Sequence, residues 1–420
     1  MNKAASNLVS IIKPRSRRYI AYLAILMTIV ALMDWYISTM KTTALPYILK
    51  EYSITPAQFS WWESLFLIPT FLVFLLNGLN DIIGRKWSIL ILILLMGISC
   101  ICIVYFTPSF YMFMTFFAVA MLTGVSNMWT IPIAEEAPAA SRGKWVALVY
   151  TLGMIPLSAL LPSLLIDKLG LDWKWLYGVM FFMMMIAIIM WFFMKETLRY
   201  DQIKAERKAG TRKEHIFGVG VITKEDVKYI AIGVLMWISW LLSCFLFLWA
   251  GYFFMTIKGL TLQQWTFGIL LWSMLAMMVG GIVGGWALDK IGRKLTFVIG
   301  CLGMVACLAP IGFLPDSIVR IPTILSGFFI AFSYSWIVVY IPEIFPTERR
   351  GSCLGWTTTI TRFSYVLGPA LAAVLLTLSP KMEWFWVITG AIMIIPAVTL
   401  MLIKPYETKN KDLEEIEYRL

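Results

Sequence analysis

Gly285-Trp286-Ala287-Leu288-Asp289-Lys290-Ile291-Gly292-Arg293-Lys294 has a counterpart earlier in the chain, Asn77-Gly78-Leu79-Asn80-Asp81-Ile82-Ile83-Gly84-Arg85-Lys86. Asp81 and Asp289 stand 208 residues apart. A second pair of segments keeps that offset: Ala134-Glu135-Glu136-Ala137-Pro138-Ala139-Ala140-Ser141-Arg142-Gly143 aligns with Pro342-Glu343-Ile344-Phe345-Pro346-Thr347-Glu348-Arg349-Arg350-Gly351. Glu135 meets Glu343, Pro138 meets Pro346 and Arg142 meets Arg350. Two motif pairs in one ungapped register mark a chain built from two halves in parallel repeat.

The residues around these motifs place both halves in a membrane. Of 420 residues, 60% are apolar and only 14% charged, against roughly a half and a quarter in ordinary soluble chains. A soluble core of this length cannot hide that much apolar surface, so lipid must cover the rest. Apolar stretches of about 20 residues cross a bilayer as helices, because unpaired backbone groups cannot face lipid. Twelve are expected: 19–45, 59–80, 87–106, 110–131, 145–166 and 175–194, then 228–256, 265–288, 295–314, 318–341, 352–378 and 384–403. The expected fold is an all-α membrane protein with twelve transmembrane helices in two pseudo-symmetric six-helix bundles. Its parts are a cytoplasmic segment 1–18, a bundle 19–194, a linker 195–227, a bundle 228–403 and a cytoplasmic tail 404–420. With the N-terminus inside, cytoplasmic segments hold 27 of the 35 basic residues and external loops 6, with Lys41 and Arg362 inside spans. That bias puts both termini in the cytoplasm.

The net charge of +11 is spread in short runs between apolar spans, which argues against nucleic acid. The six cysteines have no metal-ligand spacing. No phosphate loop or clustered catalytic set is present, so neither an ATP-driven pump nor an enzyme is expected, and no cofactor or metal.

Each repeated motif has a mechanical reading. Gly84 and Gly292 allow a tight turn between spans. Asp81 and Asp289, at the end of one helix, can bond the Arg85-Lys86 and Arg293-Lys294 pairs that open the next. Glu135 with Arg142, and Glu343 with Arg350, can extend those networks. Such locks suit a machine that holds one arrangement of its halves and releases it in the other. Static loop packing is the plainer alternative.

Four charged residues fall inside spans away from their cytoplasmic or external edges, where ionisation is costly without a cavity or a partner. Asp34 lies about 15 residues into helix 1, or about 23 Å, and Arg362 about ten residues into helix 11, or about 15 Å. Both can face one central cavity from opposite halves. Arginine stays charged and presents a fork that matches a carboxylate; a desolvated aspartate can take and release a proton. The pair suggests an anionic substrate held by Arg362 and a proton site at Asp34; a permanent structural ion pair is the alternative. Lys41 and Glu63 lie at similar depth near the external mouth, as a gate or as a snorkelling pair. Trp35, Tyr36, Asn127, Trp129, Tyr334 and Trp336 could line the pocket, although aromatic residues in spans more often pack.

The pattern G-x-x-x-D-x-x-G-R-K at positions 285–294 resembles the signature of the major facilitator superfamily. The copy at 77–86 has Asn77 and Ile82 where that signature has Gly and a basic residue. The E-x-x-P-x-x-x-R-G segments look like those of its sugar porters and of its organic-ion and aromatic-acid transporters. Leu32-Met33-Asp34-Trp35-Tyr36, Ile54-Thr55-Pro56-Ala57-Gln58 and Thr361-Arg362-Phe363 with Gly368-Pro369 are similar to the aromatic-acid/proton symporters and organic anion transporters. Helix 4 departs from them, with Ala120-Met121-Leu122-Thr123-Gly124 where those relatives carry an arginine. The resemblance implies two six-helix bundles rocking about a central cavity, and a secondary active transporter, by proton symport, of a small organic anion. A neutral sugar or polyol carrier is the alternative, disfavoured by a poor amide inventory: Gln58, Gln202, Gln263 and Gln264 all lie in loops or at span edges. A transporter-fold sensor is the other. The expected surroundings are the cell membrane and its lipids, protons, a small-molecule substrate and a monomeric state.

Overall fold

The structure, a computed structural model, describes residues 15–73, 82–124, 128–138, 141–209, 222–345, 350–403 and 406–408. Every regular element among them is helical. In chain order the spans are α1 Arg17–Glu51, α2 Pro56–Phe66 running into a tighter turn Ile68–Leu72, α3 Arg85–Tyr105, α4 Phe110–Thr123 resumed at Thr130–Glu136, α5 Arg142–Gly153 resumed at Leu157–Pro162, and α6 Trp175–Phe193. A linker helix, Leu198–Lys208, follows. Then come α7 Lys224–Phe247 extended to Ile257, α8 Leu262–Ile291, α9 Arg293–Leu308, α10 Arg320–Glu343, α11 Arg350–Thr361 resumed at Phe363–Leu378, and α12 Glu383–Ile403. Nine helices among the described residues are long and apolar enough to cross a membrane, with Phe110–Thr123 a shorter apolar one. With α2 and α9 the chain makes twelve spans in two six-helix bundles.

The repeat is visible in local geometry. Thr55 accepts a hydrogen bond from the backbone N–H of Gln58 (3.2 Å), whose side chain accepts from Thr55 N–H (3.0 Å). Thr261 and Gln264 do the same at the start of α8, at the same distances. Each box satisfies two donors that a helix start leaves orphaned. Gly84 and Gly292 turn the chain into α3 and α9 at φ 97° and 96°, with ψ 165° and 163°, a region open in practice only to glycine. A Cβ at Gly84 would also lie 2.2 Å from Glu196 Oε2. Gly84→Ala should therefore cost about 1–3 kcal/mol, read as earlier thermal unfolding in detergent, while substrate affinity is kept.

Where the expected spans were unbroken, α4 and α5 are interrupted, while α7 and α11 run on through a local tightening. α4 stops at Gly124 and resumes at Thr130. α5 breaks around Met154 and Pro156, whose ring nitrogen has no proton to give the helix ladder. α11 tightens at Arg362 and α7 at Leu248–Trp249, where the backbone stays in the right-handed helical region. α1, by contrast, runs 35 residues through Pro46, six beyond its expected end. The interruptions free backbone groups in the interior, which is tolerated only where protein or a cavity receives them.

Candidate functional site

A cavity of about 160 Å³ lies between the two bundles. Apolar cavities of about 150 Å³ hold one benzene-sized ring. One wall is α1, where Asp34, Trp35, Ser38, Thr39 and Thr42 share a face. Tyr150 and Met154 of α5 complete that half. The opposite wall is Trp240, Cys244 and Phe245 of α7, Ser273 and Met274 of α8, Tyr334 of α10 and Tyr365 of α11.

The aromatic side chains are held in place by contacts with one another and with the wall around them. The Trp240 indole N–H donates to the Ile330 carbonyl (3.0 Å), and its ring stacks on Tyr334 at 4.7 Å. Tyr150 is packed edge-on by Trp35 (6.1 Å) and face-on by Trp129 (6.3 Å). Trp129 stands behind the wall and donates its indole N–H to Asp34 Oδ2 at 3.1 Å. Trp129 stands between the two described stretches of α4, after Gly124 and directly before Thr130.

Arg362 and Asp34 are each 5% exposed; Asp34 lines the cavity, whereas Arg362 is not among its lining residues. The guanidinium of Arg362 sits 4.6 Å over the ring of Tyr365, a cavity residue that Phe245 abuts edge-on at 4.7 Å. Its Nη1 is buried without a hydrogen-bond partner. A buried charged donor left open is costly unless something accepts from it.

The expected pocket residues divide. Trp35 and Tyr334 line the cavity, and Trp129 reaches it through Asp34. Tyr36 turns away, its hydroxyl donating to the Leu176 carbonyl of α6 at 2.6 Å. Trp336 packs into the second bundle between Phe297 (4.5 Å) and Tyr340 (4.6 Å). Both point elsewhere because the helical period turns Tyr36 about 100° from Trp35 and Trp336 about 200° from Tyr334. Asn127 and Asp81 lie outside the described residues, as does the side chain of Arg350. Trp240, Cys244, Ser273 and Tyr365 escaped the sequence reading. Nothing in a run of apolar helix separates a cavity aromatic from a packing one.

On the face away from the chain termini the halves are pressed together. Lys41 Nζ meets Glu63 at 2.7 Å, with both side chains buried, and lies over the rings of Phe59 (5.5 Å) and, from the other half, Trp249 (5.6 Å). Next to it the Gly251 N–H donates to Thr42 Oγ1 (3.3 Å) and the Trp265 indole to Thr43 Oγ1 (3.2 Å). Ser64 donates to the Val366 carbonyl (2.8 Å), and Ser163 bonds Thr266 (3.1 Å).

On the face that carries the termini, the repeated motifs form two matching clasps. Arg85 meets Glu135 (2.8 Å) and Arg293 meets Glu343 (2.9 Å). Thr197 donates to Glu135 and Thr408 to Glu343, each at 2.6 Å. Glu196 caps α3, accepting from Arg85 N–H (2.9 Å), and Glu407 caps α9, accepting from Arg293 N–H (3.0 Å). Negative charge at a helix start is favourable. Lys86 lies 4.9 Å from the Trp191 ring, and Lys294 turns towards the Met401 carbonyl (3.5 Å). Asp289 is largely exposed and reaches only Arg293, at 3.1 Å, and Arg142 is exposed. The glutamates, not Asp289, are thus the main acids of the clasps. Each clasp joins helices of one bundle, so it stiffens a half.

The match to known proteins agrees with this architecture. The model of the Major Facilitator Superfamily matches residues 24–319 and 259–418. A cis,cis-muconate transport protein of Acinetobacter baylyi is 27% identical over 308 residues, covering 69% of this chain and 71% of that one. A niacin transporter, NiaP, of the same organism is 24% identical over 428 residues, 91% and 94%. Among solved structures, the inward-open xylose transporter XylE of E. coli superposes with a TM-score of 0.73 at 19% identity, over 96% of this chain and all of that one. A duplicated twelve-span chain, closed around a cavity between its halves and matched along nearly all its length, belongs to the Major Facilitator Superfamily and is a multi-pass membrane transporter working by alternating access.

Proposed function

We propose that the chain is a proton-coupled importer of a small organic carboxylate. The observation that carries this reading is the open Nη1 of buried Arg362, whose guanidinium lies over Tyr365, a residue of the cavity wall that also holds Asp34. Arg362 receives the carboxylate. Trp35, Tyr150, Trp240 and Tyr334 hold an apolar or aromatic body. Asp34, steadied by Trp129, takes and releases the proton. The Lys41–Glu63 pair is the external gate, and the Arg85–Glu135 and Arg293–Glu343 clasps keep each half rigid as it rocks. Both termini are cytoplasmic, the membrane is the plasma membrane, and the unit is a monomer in lipid. The relatives named for cis,cis-muconate and niacin, both carboxylic acids, support this substrate class. Among the described residues no amide side chain lines the cavity, which speaks against a sugar, whose hydroxyls need several such partners.

The test of coupling is Asp34→Asn in proteoliposomes. Accumulation of a labelled carboxylate driven by a proton gradient should vanish, while exchange of labelled for unlabelled substrate continues. Unchanged accumulation would remove Asp34 as the proton site. A thermal-shift screen of carboxylates against sugars on the purified protein tests the substrate class; stabilisation by sugars alone would reject it.

A further inference from the structure

The buried pair at the far face has more partners than a gate requires. We propose that Glu63 is a second proton-binding site, separate from Asp34, and that its protonation from outside opens the external face. The proposal takes the far face as external and needs no assumption about the substrate.

In the closed state Glu63 is 1% exposed and bonded to Lys41. Lys41 is held besides by two ring faces, Phe59 from its own half and Trp249 from the other. One helical turn before Glu63, the Ser60 hydroxyl is fully buried with no hydrogen-bond partner. A hydroxyl oxygen accepts as well as donates. The neutral carboxyl of Glu63 therefore has an acceptor within one turn on its own helix, and Lys41 keeps its aromatic seat when the carboxylate is lost. Both charge states of Glu63 are provided for.

The surroundings offer no rival titration. The ionisable groups on adjoining elements, among the described residues, are Lys41, Tyr36 and Tyr52 on α1, Tyr111 on α4, Tyr177 on α6, Tyr252 on α7 and Arg362 and Tyr365 on α11. The tyrosines and arginine keep their protons at physiological pH, and Lys41 alone pairs with Glu63.

The sign follows from burial. Removing the negative member of a buried pair penalises the state in which the pair is dry. That state is the closed one, because Trp249 belongs to the half that moves away. Once the halves part, water solvates Lys41 and Glu63 separately and the penalty disappears. Protonation therefore favours opening, and by linkage opening favours protonation.

Cys244, which lines the cavity, reports opening without any substrate. Intact cells are treated with a membrane-impermeant maleimide at a series of external pH values. Modification of Cys244 is read by peptide mass spectrometry and normalised to denatured protein at the same pH. Labelling should rise as external pH falls, by at most about tenfold per pH unit, the limit for one proton. Glu63→Gln should label at the wild-type acid level at every pH. Glu63→Asp should keep a pH response with a moved midpoint, which guards against misfolding of the amide variant. Lys41→Met with Glu63→Leu, an apolar pair, should stay closed and flat. A flat wild-type profile, or a wild-type pH response surviving in Glu63→Gln, overturns the proposal. Leu169→Cys, at an exposed loop on the far face, tests the orientation by itself. Its failure to label would overturn the sidedness on which the proposal depends, whatever the fate of the carboxylate reading.

Discussion

Arg362→Ala should remove carboxylate binding while the protein remains folded. Truncating one partner of a buried charged hydrogen bond costs about 2–5 kcal/mol, a factor of about 30 to several thousand in affinity. Protein stability should suffer less, because no protein group among the described residues accepts from the Arg362 Nη1. What is lost without ligand is the contact with Tyr365 at 4.6 Å, worth about 0.5–2 kcal/mol. Arg362→Lys keeps the charge but not the planar fork, so affinity should fall between the two. Carboxylate titration by thermal shift or calorimetry, with wild type and both variants, checks this. Equal affinity in wild type and Arg362→Ala would mean that the anion is held elsewhere.

The second large effect is expected at Gly251→Ala. A Cβ there would stand 1.5 Å from the Thr42 carbonyl oxygen and 2.6 Å from its carbon, well inside van der Waals contact at about 3.5 Å or more. The obstacle is backbone, so no side chain can turn aside. The closed far face can form only if α1 and α7 move apart, which also strains the Gly251–Thr42 hydrogen bond and unseats Lys41 from Trp249. Overpacking of this kind costs about 1–3 kcal/mol, at times more, lowering the closed population by about 5- to 150-fold. Exchange transport should fall with it, whereas substrate binding from the open side is kept. Gly281→Ala is the matched control, since a Cβ there meets nothing within 4 Å. Wild-type transport in Gly251→Ala would mean that the cycle does not pass through this closed face.

Much of this was legible one residue at a time. Span lengths follow from the rule that lipid cannot solvate backbone, and the 208-residue register follows from duplication, so both survive without a structure. Asp34, Lys41, Glu63 and Arg362 stood out because a charge in a span is conspicuous by itself. The Glu196-Thr197 and Glu407-Thr408 pairs did not. They are also a repeat, but 211 residues apart, three off the main register, and they sit at the ends of the bundles where acids are unremarkable in composition. Only when α3 and α9 fold back beside them do they become helix caps.

Depth along a helix is written in the sequence, and so is the identity of each charge at that depth. Rotation about the helix axis and the partner across the gap are not. Depth placed Asp34 and Arg362 in one layer of the membrane, but packing gave Asp34 to Trp129 and Arg362 to Tyr365. The same packing turned Tyr36 and Trp336 outward from the cavity while bringing in Trp240 and Tyr365. The reason is physical: burial is set by composition, which a chain carries locally, whereas pairing between helices depends on where two spans break and how two bundles meet. These are properties of the packed assembly of all the helices.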